Sequence, residues 1–91
     1  MSENVYRGWA TLIDHGFEIA VHADLGERGR GRDVTWGGHL QADRDEDFEL
    51  MAKVADGRLR LPDGTEADFT AVVNEVGTGG LEIASEADAP F

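Results

Sequence analysis

The run Leu59-Arg60-Leu61-Pro62-Asp63-Gly64-Thr65-Glu66-Ala67-Asp68-Phe69 constrains the chain path more than any other, because it reads as two strands and a tight turn. Proline holds φ near the value that the second position of a type I turn needs, and glycine accepts the left-handed conformation that follows. Pro62-Asp63-Gly64 therefore makes a three-residue hairpin loop. Counting outward sets Leu61 against Thr65, Arg60 against Glu66, Leu59 against Ala67 and Arg58 against Asp68. Leu59, Leu61, Ala67 and Phe69 then share a dry face, and the opposed charges share a wet one. A two-residue loop would set Leu59 against Asp68 and Leu61 against Glu66, burying carboxylates at a large desolvation cost.

The same counting extends along the chain. Residues 5–13 and 17–25 alternate as strands around Asp14-His15-Gly16, another loop that ends in glycine. Ile13 is then expected opposite Phe17, Trp9 opposite Val21 and Val5 opposite Leu25, with Trp9 in the core and Tyr6, Ala10, Glu18, Ala20, His22 and Asp24 on the other surface. Arg7 is a misfit in this register, since it points inward opposite Ala23 unless it sits at a barrel mouth or a bulge at Gly8 turns it out. Residues 34–42 form a third strand with Val34, Trp36, Leu40 and Ala42 on the apolar side and Thr35, His39 and Gln41 on the other. Gly37-Gly38 inside it marks coiling, a bulge or the close approach of another backbone. A strand through Phe69, Ala71 and Val73 returns by Gly77-Thr78-Gly79 to Leu81, Ile83 and Ser85, with Glu75 expected opposite Leu81 and Val73 opposite Ile83.

Between positions 43 and 57 the apolar residues fit both periods. Asp45 as an N-cap, Glu46, Asp47 and Glu49 near the positive helix end, Lys53 late and Gly57 just beyond favour a short helix over about 46–55. The fold class expected is mainly β, a small six-stranded antiparallel barrel or closed sandwich with that one helix, forming a single domain over 1–91. A flat sheet of this size could not cover its own apolar face, and its edges would invite pairing with another copy.

Composition narrows the function. Ninety-one residues build one modest core, and the absence of cysteine excludes disulfides and thiolate metal sites. Nineteen acidic against eight basic residues leave a net charge of −11, which opposes direct binding to nucleic acid or to anionic membranes and permits a basic partner, although such a surplus first of all keeps a small domain in solution. No apolar run approaches bilayer length and the first residues lack a leader pattern, so a cytoplasmic location is expected.

Few constellations carry chemistry. The serines are Ser2 and Ser85, neither in a nucleophile elbow, so no enzyme and no cofactor is expected. Asp43, Asp45 and Asp47 imitate the start of a calcium loop, but Phe48 replaces its turn glycine and Val54 its bidentate glutamate. His22 and His39 share the polar face of strands expected to be neighbours and are the weak candidates for a metal. Arg28, Arg30 and Arg32 lie in a glycine-rich connection that suits an anion or a docking partner. Pro90 and Phe91 form either a plug for the barrel end or a docking side chain.

Tyr6-Arg7-Gly8, Trp36-x-Gly38, Leu59-Arg60-Leu61-Pro62-Asp63-Gly64 and the ending Ala89-Pro90-Phe91 together resemble a family of short β proteins from actinobacteria and their phages or prophages, a domain of unknown function. The resemblance spans nearly the whole chain and implies a stand-alone β domain, phage-linked, with no catalytic residue carried over. It also allows a virion location. Ser85-Glu86-Ala87-Asp88 departs from the more glycine-rich stretch expected before the ending.

The function expected is a non-enzymatic protein-interaction or assembly module, partnered by another protein or by itself as a homo-oligomer. The alternatives are an acidic decoy that occupies a nucleic-acid-binding protein, and a domain that binds a small ligand or metal at the arginine loop or the His22/His39 face.

Overall fold

Strands with one apolar face must bury it, and a short sheet does so by closing on itself. The computed structural model describes residues 5–28, 35–75, 77–87 and 89–91. It shows β1 (Val5–Asp14), β2 (Phe17–Arg28), β3 (Thr35–Ala42), α1 (Phe48–Ala52), β4 (Asp56–Arg60), β5 (Glu66–Glu75) and β6 (Gly80–Ser85). The strands form a closed antiparallel barrel in the order β1-β2-β3-β6-β5-β4. Thr11, Leu12 and Ile13 of β1 complete the circle against Arg60, Leu59 and Arg58 of β4.

The β4–β5 hairpin has the register its sequence dictates, with Leu59 opposite Ala67 and Arg58 opposite Asp68. Gly64 takes φ +92°, its N–H donates to the Leu61 carbonyl at 2.9 Å, and the Leu61 N–H donates to Thr65 O at 2.9 Å. Asp63 Oδ1 accepts the Thr65 N–H at 2.9 Å, and that bond holds its carboxyl below the ordinary carboxylate value.

The first hairpin corrects the expected register. Asp14 pairs with Phe17, so the turn is only His15-Gly16, with φ +44° and +86° as a type I′ turn requires. One residue of slip exchanges the faces of β1. Ala10 and Leu12 enter the core opposite Val21 and Ile19, whereas Val5, Trp9 and Ile13 project from the outer face. Trp9 is not core. Arg7 now points outward opposite Asp24, with Nε 3.1 Å from Oδ1, and the misfit disappears without a bulge.

The β5–β6 connection also differs from the expected one. Glu75 pairs with Gly80 and Asn74 with Leu81, so the pairing is one residue away from the one expected and the three hairpins do not share one loop design. A register shift between Ala71 and Val73 leaves both Val72 and Val73 exposed, with Val73 opposite Glu82 instead of Ile83. In β3, Trp36, Leu40 and Ala42 are buried as expected, and Val34 lies outside the described residues. Gly37 and Gly38 mark close approach: a Cβ would stand 2.4 Å from Ile83 O at Gly37 and 2.0 Å from Asp24 O at Gly38.

The helix is shorter than expected. A 3-10 turn, Asp45–Asp47, leads into α1, which ends at Ala52; the N-cap positions are Arg44 and Asp47, not Asp45, and neither makes a side-chain capping bond. Gly57 does not follow the helix; it lies in β4 opposite Phe69. The turn after α1 is tied to β5 by Asn74 Nδ2, which donates to Met51 O at 3.1 Å and Val54 O at 2.9 Å.

The core comprises Leu12, Ile19, Val21, Leu25, Trp36, Leu40, Met51, Leu59, Phe69, Leu81 and Ile83, among others. Each large side chain buried this fully contributes about 1.5–3 kcal/mol. The two ends of β3 are covered differently. At the Ala42 end, Ala42 N–H donates to Gly79 O and Gly79 abuts Phe48 of α1. At the Trp36 end, the Phe91 ring meets Trp36 edge-on at 6.0 Å and Tyr6 at 6.5 Å. Among the described residues, no helix is long and apolar enough to cross a membrane.

Candidate functional site

Among the described residues, His22, His39, Pro90 and Phe91 do not form one site. Arg28 ends β2 opposite Thr35, and Arg30 and Arg32 lie outside the described residues. Pro90 is buried, and Phe91 packs half-buried against Trp36 and Tyr6 at the barrel end. His22 and His39 do lie on the outer face of adjacent strands, but His22 faces Gln41 and His39 faces Asp24. His39 Nε2 is 2.7 Å from Glu75 Oε2, while His22 meets the Trp9 ring edge-on at 5.3 Å. Among the described residues, no group of three or more His, Asp or Glu side chains is placed to hold a metal ion.

A different surface is assembled by the barrel. The outer row of β1 is Val5, Arg7, Trp9, Thr11 and Ile13, with Trp9 52% exposed and Val5 62% exposed. An indole standing in solvent on a strand is the exception, since Trp buries most of its surface on average. Pro62 and Gly64 of the β4–β5 turn stand across from it, and with Thr11, Ala20 and Arg60 they bound a groove of about 550 Å³. The turn is held by the Gly64 and Asp63 bonds already described, so both walls sit on hydrogen-bonded structure.

Arg60 also lines a longer groove of about 1080 Å³ that includes Ile13, Arg58, Asp56 and Glu86. Charge here is interleaved across strands. Arg60 Nη2 donates to Glu18 Oε1 at 2.7 Å, and Arg58 donates from Nε to Asp68 Oδ1 at 3.1 Å and from Nη1 to Glu66 Oε1 at 3.2 Å. The bond to Asp68, reinforced by its charge, holds Arg58 still more firmly protonated. Six carboxylates line this groove against two arginines. Asp56 and Glu86 are exposed and have no cationic partner among the described residues.

Sequence reasoning placed the Arg58, Arg60, Glu66 and Asp68 face correctly and missed Trp9. The available signal was the misfit of Arg7: the one-residue shift that turns this charge outward turns Trp9 outward with it. Comparison with known proteins adds nothing to the site, because no family model, no curated protein and no solved structure matches the chain.

Proposed function

We propose that this barrel is a non-enzymatic protein-interaction module whose contact surface is the outer face of β1 and the grooves beside it. The exposure of Trp9 carries this reading. A large, rigid aromatic presented from a strand offers contact area at little entropic cost, and such residues dominate the energy of protein interfaces. Val5, Ile13 and Pro62 extend the surface, and the surrounding ion pairs form a polar rim. A phage accessory or virion role, suggested by the family resemblance, is compatible with a module of this kind.

An acidic decoy requires carboxylates in an uninterrupted stripe at phosphate-like spacing. Here Glu18, Glu66, Asp68 and Asp24 are interleaved with Arg58, Arg60 and Arg7, which favours the interaction module. The test is affinity capture from the native source with the wild-type protein and with Trp9→Ala, alongside light scattering. A partner, or self-association, that is lost in Trp9→Ala is expected. A strict monomer that retains nothing, or retention identical in both proteins, contradicts the proposal.

A further inference from the structure

We infer that the occupant of this face is an extended basic segment of another protein, lying along β1 with an apolar side chain against Trp9 and cationic side chains over the acidic groove. The inference rests on the interaction reading above and adds the chemistry of the partner.

The two grooves adjoin at Arg60, which pairs across the barrel seam with Thr11, midway between Trp9 and Ile13 on the outer row of β1. From Trp9 to Ile13 the strand covers about 13 Å at the usual rise per residue, the span of an extended segment about four residues long. Such a segment sends every second side chain toward the barrel. One end of this pair is apolar, with Trp9, Ala20 and Pro62. The other end is acidic, with Asp56 and Glu86 unpaired among the described residues and Glu66 and Asp68 only partly neutralised by Arg58 and Arg60.

Charge selects among occupants. A second copy would bring its own net charge of −11 toward an acidic groove, and like charge opposes that approach. An acidic or phosphorylated segment meets the same repulsion. A basic segment gains Coulombic steering from the whole chain and local pairing from Asp56 and Glu86.

The test is fluorescence anisotropy with a short labelled peptide that has leucine first and arginine at every second position after it. The control peptide carries glutamate in place of each arginine. The arginine peptide is expected to bind and to weaken as salt rises, and the glutamate peptide is expected not to bind. Trp9→Ala is expected to weaken binding about thirtyfold, and the double variant Asp56→Asn/Glu86→Gln about fivefold, with the melting temperature of each near that of the wild type. Equal binding of the two peptides, no binding of the arginine peptide, or unchanged affinity in the double variant overturns the inference. So does a dimer by light scattering that Trp9→Ala dissolves, because a second copy then occupies the face. If the arginine peptide fails while a native partner is still retained through Trp9, only the basic character is wrong. If Trp9→Ala changes neither capture nor self-association, the interaction reading itself fails.

Discussion

Gly38 shows how closely the barrel wall is packed at a single residue. Its φ of +149° and the position of Asp24 O, 2.0 Å from where a Cβ would stand, leave no room for a side chain. Gly38→Ala is expected to cost about 2–4 kcal/mol, read as a lowered denaturant midpoint, because the β2 backbone must move and cannot yield like a flexible side chain. Gly16, with φ +86° and open space around it, is expected to cost about 1 kcal/mol as alanine. At Asp63 the consequence is a pH dependence. Its folded carboxyl titrates below the ordinary 3.8 because it accepts the Thr65 N–H, so the turn is stabilised above 3.8 and loses that contribution as pH falls through the lower, folded value. An NMR titration is expected to place the Asp63 midpoint below 3.8, and Asp63→Asn to flatten stability against pH in that acid window.

Between elements, legibility depended on whether the two faces of a strand differed. In the β4–β5 hairpin, Leu59, Leu61, Ala67 and Phe69 alternate with charges, and a slip would bury carboxylates, so only one register is affordable. β1 carries Val5, Trp9 and Ile13 on one face and Tyr6, Ala10 and Leu12 on the other, so alternation alone cannot choose. The choice is made by the turn, where His15 accepts a left-handed φ of +44° that non-glycine residues adopt infrequently, and by β4, which needs Leu12 beside Leu59. The β5–β6 link was hidden for another reason. Its register depends on a bulge at Val72 and on Gln41 Nε2 donating to Thr78 O at 2.7 Å, a contact from a strand distant in sequence. Neither has a local signature. Two contacts that fix elements to the barrel can be tested directly. Asn74→Ala removes both bonds to the turn after α1 and is expected to cost about 1–3 kcal/mol in urea unfolding. Phe91→Ala uncovers Trp36, and a red shift of its emission in a Trp9→Phe background is expected, with loss of about 1–3 kcal/mol. No shift would mean that Phe91 does not cover the barrel end.

Across the whole molecule, closure of the sheet buries most of the large apolar side chains of six strands and one helix, and leaves Val5, Trp9, Val72 and Val73 on the outer surface. That surface is acidic, with Arg7, Arg44, Arg58 and Arg60 tied into ion pairs worth little to stability and more to the pattern of charge a partner meets. One large aromatic stands out from it. The position of Trp9 follows from the barrel register, and the proposed contact surface rests on that position. Hydrogen exchange at the two indole N–H groups, observed by NMR in the wild-type protein, tests this most directly. Rapid exchange is expected for the signal that vanishes in Trp9→Phe, and slow exchange for the one that vanishes in Trp36→Phe, since Trp36 is only 1% exposed. Slow exchange at Trp9, or rapid exchange at Trp36 alone, contradicts the register and with it the binding face.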